Sequence, residues 1–381
     1  MTFVSFIAKN ALRNKRRAAL SILSVAVSLF LLVFLMVALR LFTHPPESAG
    51  AELRVAVRNK ISITQQLPAR QRPIIEKIDG VTAVTPFTWF GGNFRNEQTT
   101  MFAQFAMNPA KLREIFTELK MSDEGFAGFE AERTACVLGK LTADKYNLKI
   151  GDRMVLNSPL YPNPMEFKIA GIFTGTEDDK NMFFRQDYLE ENSDLKGQVG
   201  MWWLKVRSAE DMPRVISEIN KTFENSSAAV RAETERAFQL GFISMWGNIS
   251  LLVGLISSAV VFTLLLVTAS TMSMAVRERL REMAILKALG YQRPMLFAFI
   301  LAESFGLAAL GGLLGIGGGY CLFAYGDIPQ LTNGFITKLE VTPDTIGIAL
   351  AVTAGLGILS SIMPGLAVMR MSVVQGLKSL D

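Results

Sequence analysis

The chain has 381 residues, of which 50% are hydrophobic and only 19% charged, with a mean hydropathy of +0.30. So apolar a composition is rare in a soluble protein of this length, and membrane-spanning runs are the first expectation. The net charge of +5 does not mark a nucleic-acid binder. Residues 43–236 hold 25 Lys+Arg against 27 Asp+Glu, and the basic excess lies beside the apolar runs.

Residues 1–17 read as a cytoplasmic amphipathic helix. Phe3, Phe6, Ile7 and Leu12 interleave with Lys9, Arg13, Lys15, Arg16 and Arg17. Such a segment either lies in the membrane interface or is a plain topogenic charge cluster. Residues 18–42 form the first span. Its charge-free run, 18–39, exceeds a signal-peptide h-region and is expected to be retained.

Residues 43–236 then mix strand and helix signals, which predicts an α+β extracytoplasmic domain inserted between the first and second spans. Strands are expected at 53–57, 81–86, 134–138, 166–173 and 202–206, with another in 148–156 after a Gly151-Asp152 turn. Helices are expected at 70–78, ended by Asp79-Gly80, at 140–146, and at 209–223 with Ile216 and Ile219 facing inward.

Residues 237–276 carry no charge. As one helix they would be about 60 Å long, twice a hydrocarbon core of roughly 30 Å. The expectation is a continuous long second span and stalk that leaves the outer leaflet near Phe242 and Trp246 and acts as a rigid lever. Residues 277–293 form a cytoplasmic helix and loop. Here Met283, Leu286 and Leu289 make an apolar stripe, Arg279, Glu282 and Lys287 lie on other faces, and Gly290 serves as C-cap. The pattern alone fits either a helix docking into a partner's groove or a solvated loop.

Residues 294–326 form the third span. Gly311, Gly315 and Gly319 recur there at intervals of four, which fits either a close helix–helix seam, such as one at a dimer interface, or the ordinary abundance of glycine in membrane helices. Glu303 is the sole carboxylate inside a span. It is expected to pair with an Arg or Lys of 277–293. A proton relay would need a second intramembrane acid or histidine, which the runs lack. Residues 327–344 are a short external loop, 345–369 the fourth span, and 370–381 a cytoplasmic tail. Together these elements predict an α-helical membrane protein with four transmembrane helices.

Orientation follows the positive-inside rule. Bases cluster before the first span, at Arg277, Arg279, Arg281, Lys287 and Arg293, and at Arg370 and Lys378. The link between spans three and four has Lys338 against Asp327, Glu340 and Asp344. Both termini and 277–293 are therefore expected in the cytoplasm. His44 is the only histidine, Cys136 and Cys321 the only cysteines, and no GxxxxGK[ST] occurs. Neither metal, triad nor P-loop nucleotide chemistry is expected of the chain itself.

The run VRERLREMAILKALG from Val276 to Gly290, followed by Glu303 early in a Gly-rich span, resembles the signature of FtsX-like permeases. These are the membrane subunits of MacB-type (type VII) ABC transporters. NALRNKRR at 10–17, DGVTAVTP at 79–86, LKIGD at 148–152, and the ending from Met363-Pro364-Gly365 to Gln375, Gly376, Leu377 and Lys378 are similar to other parts of the family pattern.

The resemblance implies a bacterial inner-membrane, non-catalytic subunit that binds no cofactor, ATP and Mg being held by a separate ABC ATPase. Coupling to that ATPase is implied for Arg277, Glu278, Arg279, Arg281, Glu282, Met283, Ile285, Leu286, Lys287, Leu289 and Gly290. A second permease, identical or a paralogue, completes the membrane dimer. The implied function is mechanotransmission, in which ATP hydrolysis moves the external domain to export a substrate from the periplasmic side. Some members work with a periplasmic adaptor and outer-membrane channel. The alternatives are lipoprotein extraction toward a lipoprotein carrier and FtsX-type activation of cell-wall hydrolases. A ligand-binding membrane sensor would leave the 278–290 motif unexplained.

Overall fold

The structure, a computed structural model, describes residues 15–43, 50–95, 102–176, 179–193, 196–245, 247–326 and 339–373. The expectations for most of 1–17, for Trp246, for most of 327–344 and for the tail beyond 373 lie outside these residues. Two compact units emerge, one of long helices and one built on a sheet that occupies the chain between the first and second of those helices.

The helical unit contains α1 (Lys15–Thr43) and, after the inserted unit, α7 (Ile249–Arg277), α8 (Leu280–Ala288), α9 (Arg293–Tyr325) and α10 (Pro343–Arg370). Within these, Ala18–Arg40, Ile249–Arg277, Arg293–Tyr325 and Pro343–Arg370 are long and apolar enough to cross a bilayer. The chain is thus a membrane protein.

The seam of small residues is internal. A Cβ on Gly311 would lie 2.6 Å from Val25 Cβ, one on Gly315 2.4 Å from the Ala26 carbonyl oxygen, and one on Gly319 3.0 Å from Val33. Those glycines admit the backbone of α1 to α9. On another face of α9, Gly312 receives Thr353 of α10, and Gly357 of α10 receives the Phe305 backbone. Buried Ser304 and Ser360 hydroxyls, 2.8 Å apart, add a polar link between α9 and α10. α7 is the outlier: in its most apolar window only 6% of residues are buried within the chain, against 33–44% for the other three.

The inserted unit begins with β1 (Arg54–Asn59) and β2 (Leu67–Pro68), then β3 (Val81–Trp89), β4 (Asn93–Phe94) and β5 (Gln104–Met107). There follow α2 (Asp123–Ala131), β6 (Ala135–Gly139), α3 (Lys140–Tyr146), β7 (Arg153–Asn157), β8 (Met165–Phe173), β9 (Met182–Arg185) and α4 (Gln186–Asn192). β10 (Gln198–Val199), β11 (Met201–Val206), α5 (Met212–Thr222), β12 (Val230–Thr234) and α6 (Glu235–Ser244) complete it. Ten strands form one mixed sheet in the order β12-β1-β11-β3-β5-β9-β6-β8-β7-β4. β5–β9 and β6–β8 are parallel and the other neighbours antiparallel.

Alternation dictates the sheet's faces. Met154 and Leu156 of β7 are buried while Arg153, Val155 and Asn157 are exposed. α5 lays Met212, Val215 and Ile219 on Val55, Val57 and Trp202, with Ile216 half-buried beside them. At the free edge, the Asn220 side chain receives a hydrogen bond from the Ala232 N–H and donates one to the Ala232 carbonyl. Those edge groups are thereby closed to another strand.

Three expectations need correction. The helix expected at 70–78 is a single turn, Arg72–Ile75, preceded by 3-10 structure. Beyond it, Lys77 and Ile78 donate to the carbonyls three residues back, so the α pattern stops. β3 runs past Pro86 to Trp89, because the pairing changes there: β11 is its partner up to Phe87, β5 from Thr88.

The third concerns 237–276, which is not one helix. α6 ends at Ser244 and α7 starts at Ile249. Gly247 adopts φ +95°, a left-handed geometry that no helix continues, and the Asn248 side chain accepts from Leu251 N at 2.9 Å as an N-cap. Gly-Asn is a helix stop followed by a helix start, here hidden inside an uncharged run.

Candidate coupling site

α7 and α8 are separated by two residues. Glu278 N donates to Met274 O and Arg279 N to Val276 O, closing α7, and Met283 N then bonds Arg279 O to open α8. α8 ends in a Schellman motif. Gly290 N reaches Lys287 O and Tyr291 N reaches Leu286 O, with Gly290 at φ +93°. A left-handed residue is required there and glycine supplies it without strain.

A nine-residue helix is marginal by itself, so α8 depends on what it packs against. Met283 is buried and Leu280 and Leu286 are partly so. Around them lie Met272, Ala275 and Val276 of α7, Leu296, Phe299 and Ile300 of α9, and Val368 of α10 with Met371 beyond it. The stripe read from the sequence is therefore divided. Met283 and Leu286 serve this internal core, while Leu289 is 72% exposed and Ile285 45%. Arg281, Ala288 and Gly290 are also exposed, and Glu282 is half-buried. The outward face thus runs Arg281, Ile285, Ala288, Leu289, one helical stripe that the expected stripe misses by about 100° of rotation. Arg277 and Glu278 are exposed just before it.

Two charged side chains point inward instead. Arg279 is buried and its Nη1 donates to Glu303 Oε2 of α9 at 2.9 Å. Such a pair requires full hydrogen bonding to offset desolvation, and losing one member leaves the other as a buried charge. Lys287 Nζ donates to Met371 O at 2.5 Å and Met369 O at 3.3 Å, capping the end of α10. Sequence spacing alone puts Arg279 and Lys287 on faces other than the apolar stripe. Only the Glu303 position, ten residues into α9, hints at an inward partner. The role of the last α10 carbonyls has no sequence signal.

The chain resembles several known proteins. The FtsX-like permease C-terminal family matches residues 254–373, and the MacB-like periplasmic core domain family matches residues 18–222. The uncharacterized ABC transporter permease MJ1507 of Methanocaldococcus jannaschii is 25% identical over 349 residues, covering 82% of this chain and 81% of its own length. Among solved structures, the periplasmic region of MacB from Actinobacillus actinomycetemcomitans is 12% identical, with a TM-score of 0.38. That match covers 50% of this chain and 94% of that one. The extracellular domain of the noncanonic ABC-type transporter YknZ from Gram-positive bacteria is also 12% identical, with a TM-score of 0.34, over 47% of this chain and 99% of that one. With one family over the inserted domain and the other over the last three membrane helices, the chain belongs to the FtsX-like ABC transporter permeases that carry a MacB-type periplasmic core domain.

Proposed function

We propose that the chain is the membrane subunit of a MacB-type exporter, driven by a separate ATPase that seats on α8. The carrying observation is the division of α8 into two faces. One is locked onto α7, α9 and α10, and the other presents Arg281, Ile285, Ala288 and Leu289 outward. An exposed apolar pair beside an arginine suits an amphipathic-helix-in-groove contact. The positive-inside count supports a cytoplasmic α8, cytoplasmic termini and an extracytoplasmic core domain in the cytoplasmic membrane. ATP and Mg then belong to the ATPase, and this chain converts its stroke into motion of the core domain. The weakly buried surface of α7 suits a second permease, identical or a paralogue.

Under this reading the cargo is engaged on the outer side and moved outward, as in efflux through an adaptor and outer-membrane channel. With Gly247 in the left-handed region, α6 and α7 are two helices rather than one stiff lever.

Affinity purification of the chain from its native membrane tests the assignment. Expected is recovery of an ABC ATPase, lost in Leu289→Glu and in Ile285→Glu. Recovery that is unchanged in both variants refutes the docking face. Accumulation of a small-molecule or peptide toxin in cells lacking the chain supports efflux. Retention of lipoproteins in the inner membrane would replace efflux by extraction, and loss of cell-wall hydrolase activity alone would replace it by hydrolase control.

A further inference from the structure

We infer that Arg279 and Lys287 are positioning residues, which key the docking helix to the third and fourth membrane helices so that the ATPase stroke drives α9 and α10 together with α7. The inference rests on α8 being the ATPase seat.

α8 is joined covalently to α7 through Glu278-Arg279 and to α9 through the short Leu289–Gln292 link. α10 has no such link, since the chain reaches it only after crossing the membrane and returning. A push on α8 therefore reaches α10 through side chains alone. Val368 and Met371 supply apolar contact with Met283 and Leu286 of α8. Apolar contacts are non-directional and let helices slide. Lys287 supplies the directional tie, one ammonium on two carbonyls at the last turn of α10. A hydrogen bond weakens steeply as its geometry departs from the ideal, so α8 cannot move far without either taking α10 along or breaking this tie.

The link to α9 has the same character. The covalent connection after Leu289 holds only the first residue of a 33-residue helix. Glu303 lies about 15 Å further along, at 1.5 Å per residue. A second attachment at that distance turns a pivot into a rigid mounting: α9 can no longer rotate about its first turn independently of α8. Burial strengthens this, because a desolvated charge pair is costly to separate. From Glu303 the route continues through Ser304 to Ser360 of α10, and through Gly311 and Gly315 to the backbone of α1. Arg279 and Lys287 thus act away from the ATPase, while Arg281, Ile285 and Leu289 face it.

The test uses the full chain with its ATPase in lipid nanodiscs. A single spin label is placed at exposed Leu313 on α9 or exposed Leu359 on α10, in a Cys321→Ser background. In the otherwise wild-type complex, each label's spectrum is expected to shift when a non-hydrolysable ATP analogue is added. Glu303→Gln should abolish the shift at Leu313, and Lys287→Met the shift at Leu359, each with unchanged affinity for the ATPase. Lys287→Arg, which retains a donor over the same carbonyls, should keep it. Shifts that persist in both Glu303→Gln and Lys287→Met, or that are missing from the wild type, overturn the inference. So does loss of ATPase affinity in these variants, which would make the residues contacts rather than mountings. Normal ATPase affinity in both Leu289→Glu and Ile285→Glu overturns instead the docking reading beneath it, and the two failures are distinguished by which variants change affinity.

Discussion

Arg54 Nε lies 2.5 Å from Glu235 Oε2 inside the core domain, joining residues 181 positions apart in the chain. Arg54 begins β1, the first strand after the first membrane helix, and Glu235 begins α6, the last helix before the second. The same guanidinium donates from Nη1 to both oxygens of Glu118, at 2.8 and 2.9 Å, and lies over the Phe116 ring at 5.0 Å. Arg54 is 1% exposed. One buried cation thus serves two carboxylates and fixes the first and last elements of the domain to each other.

Removing that cation should be severe. Arg54→Met leaves Glu118 and Glu235 facing each other in the interior, and breaking a buried pair from one side typically costs about 3–5 kcal/mol. Glu235→Gln should cost less, since Glu118 still neutralises the guanidinium. Burial pushes the Glu235 carboxyl above its ordinary value, against the Arg54 charge, and Glu118 adds to the rise. A carboxyl raised by folding contributes stability that is present below its unfolded value and lost as pH climbs through the folded one. In Arg54→Met the opposing charge is gone and the rise is larger. Its deficit should therefore be deepest near pH 7 and shrink on acidification, as the Glu235 carboxyl takes up its proton. Amide exchange in β1 and β12 of the full chain, followed as the pH is lowered, measures this. A deficit that deepens on acidification would contradict it.

The α1–α9 seam gives a graded series. A Cβ at Gly315 falls 2.4 Å from the Ala26 carbonyl oxygen, a backbone atom that moves only if the helix moves. At Gly317 a Cβ meets nothing within 4 Å. Gly315→Leu should lower stability in detergent by about 1–3 kcal/mol through overpacking, with Gly317→Ala neutral or slightly stabilising through helix propensity. Thermal unfolding of the two variants decides it: equal melting temperatures would mean the seam is looser than the geometry requires.

Much of this architecture is legible in the sequence because it rests on composition and periodicity. Four apolar runs, the strands at 135–139 and 165–173, and the helix at 140–146 follow from hydropathy and alternation alone. The 277–290 segment is legible as a helix ended by Gly290, but its rotation is not. Met283, Leu286 and Leu289 look equivalent on a helical wheel, and only the presence of α9 and α10 makes the first two internal and the third external. The Arg54 cluster escapes for a similar reason: an arginine in an alternating stretch reads as a solvated side chain until tertiary structure brings Glu118 and Glu235 to it. The glycine seam is legible as a seam, but its partner helix is not, since small residues admit any backbone.

Gly290 offers a test of α8 that leaves its faces untouched. It holds φ +93°, and a Cβ added there would meet nothing within 4 Å, so a substitution encounters conformational strain and no clash. Gly290→Val should fray the last turn by roughly 1–2 kcal/mol, releasing the bonds from Gly290 and Tyr291 to Lys287 and Leu286. Gly290→Asn, which tolerates the left-handed region, should cost less. If recruitment of the ATPase depends on an ordered α8, binding falls in the order wild type, Asn, Val. An order that does not follow side-chain tolerance of positive φ would separate ATPase binding from the ordering of this turn.

The joint between α6 and α7 makes a final prediction. Asn248 caps α7 through its side chain, and Gly247 holds the left-handed conformation that separates the helices. Asn248→Ala removes the acceptor for Leu251 N and should destabilise the first turn of α7 by about 1 kcal/mol. Adding Gly247→Ala changes the sign of the local preference. Alanine resists φ near +95° and favours helix, so the double variant should extend α7 back through 247–248. Hydrogen exchange separates the two outcomes: amides from 247 to 251 should exchange faster in the single variant and slower in the double one. If the break at Gly247 is needed to convert the ATPase stroke into outward motion, a complex carrying the double variant binds its ATPase with wild-type affinity and hydrolyses ATP, yet fails to export. Normal export by a chain with slowed exchange at 247–251 would show that the break at Gly247 is not needed for export.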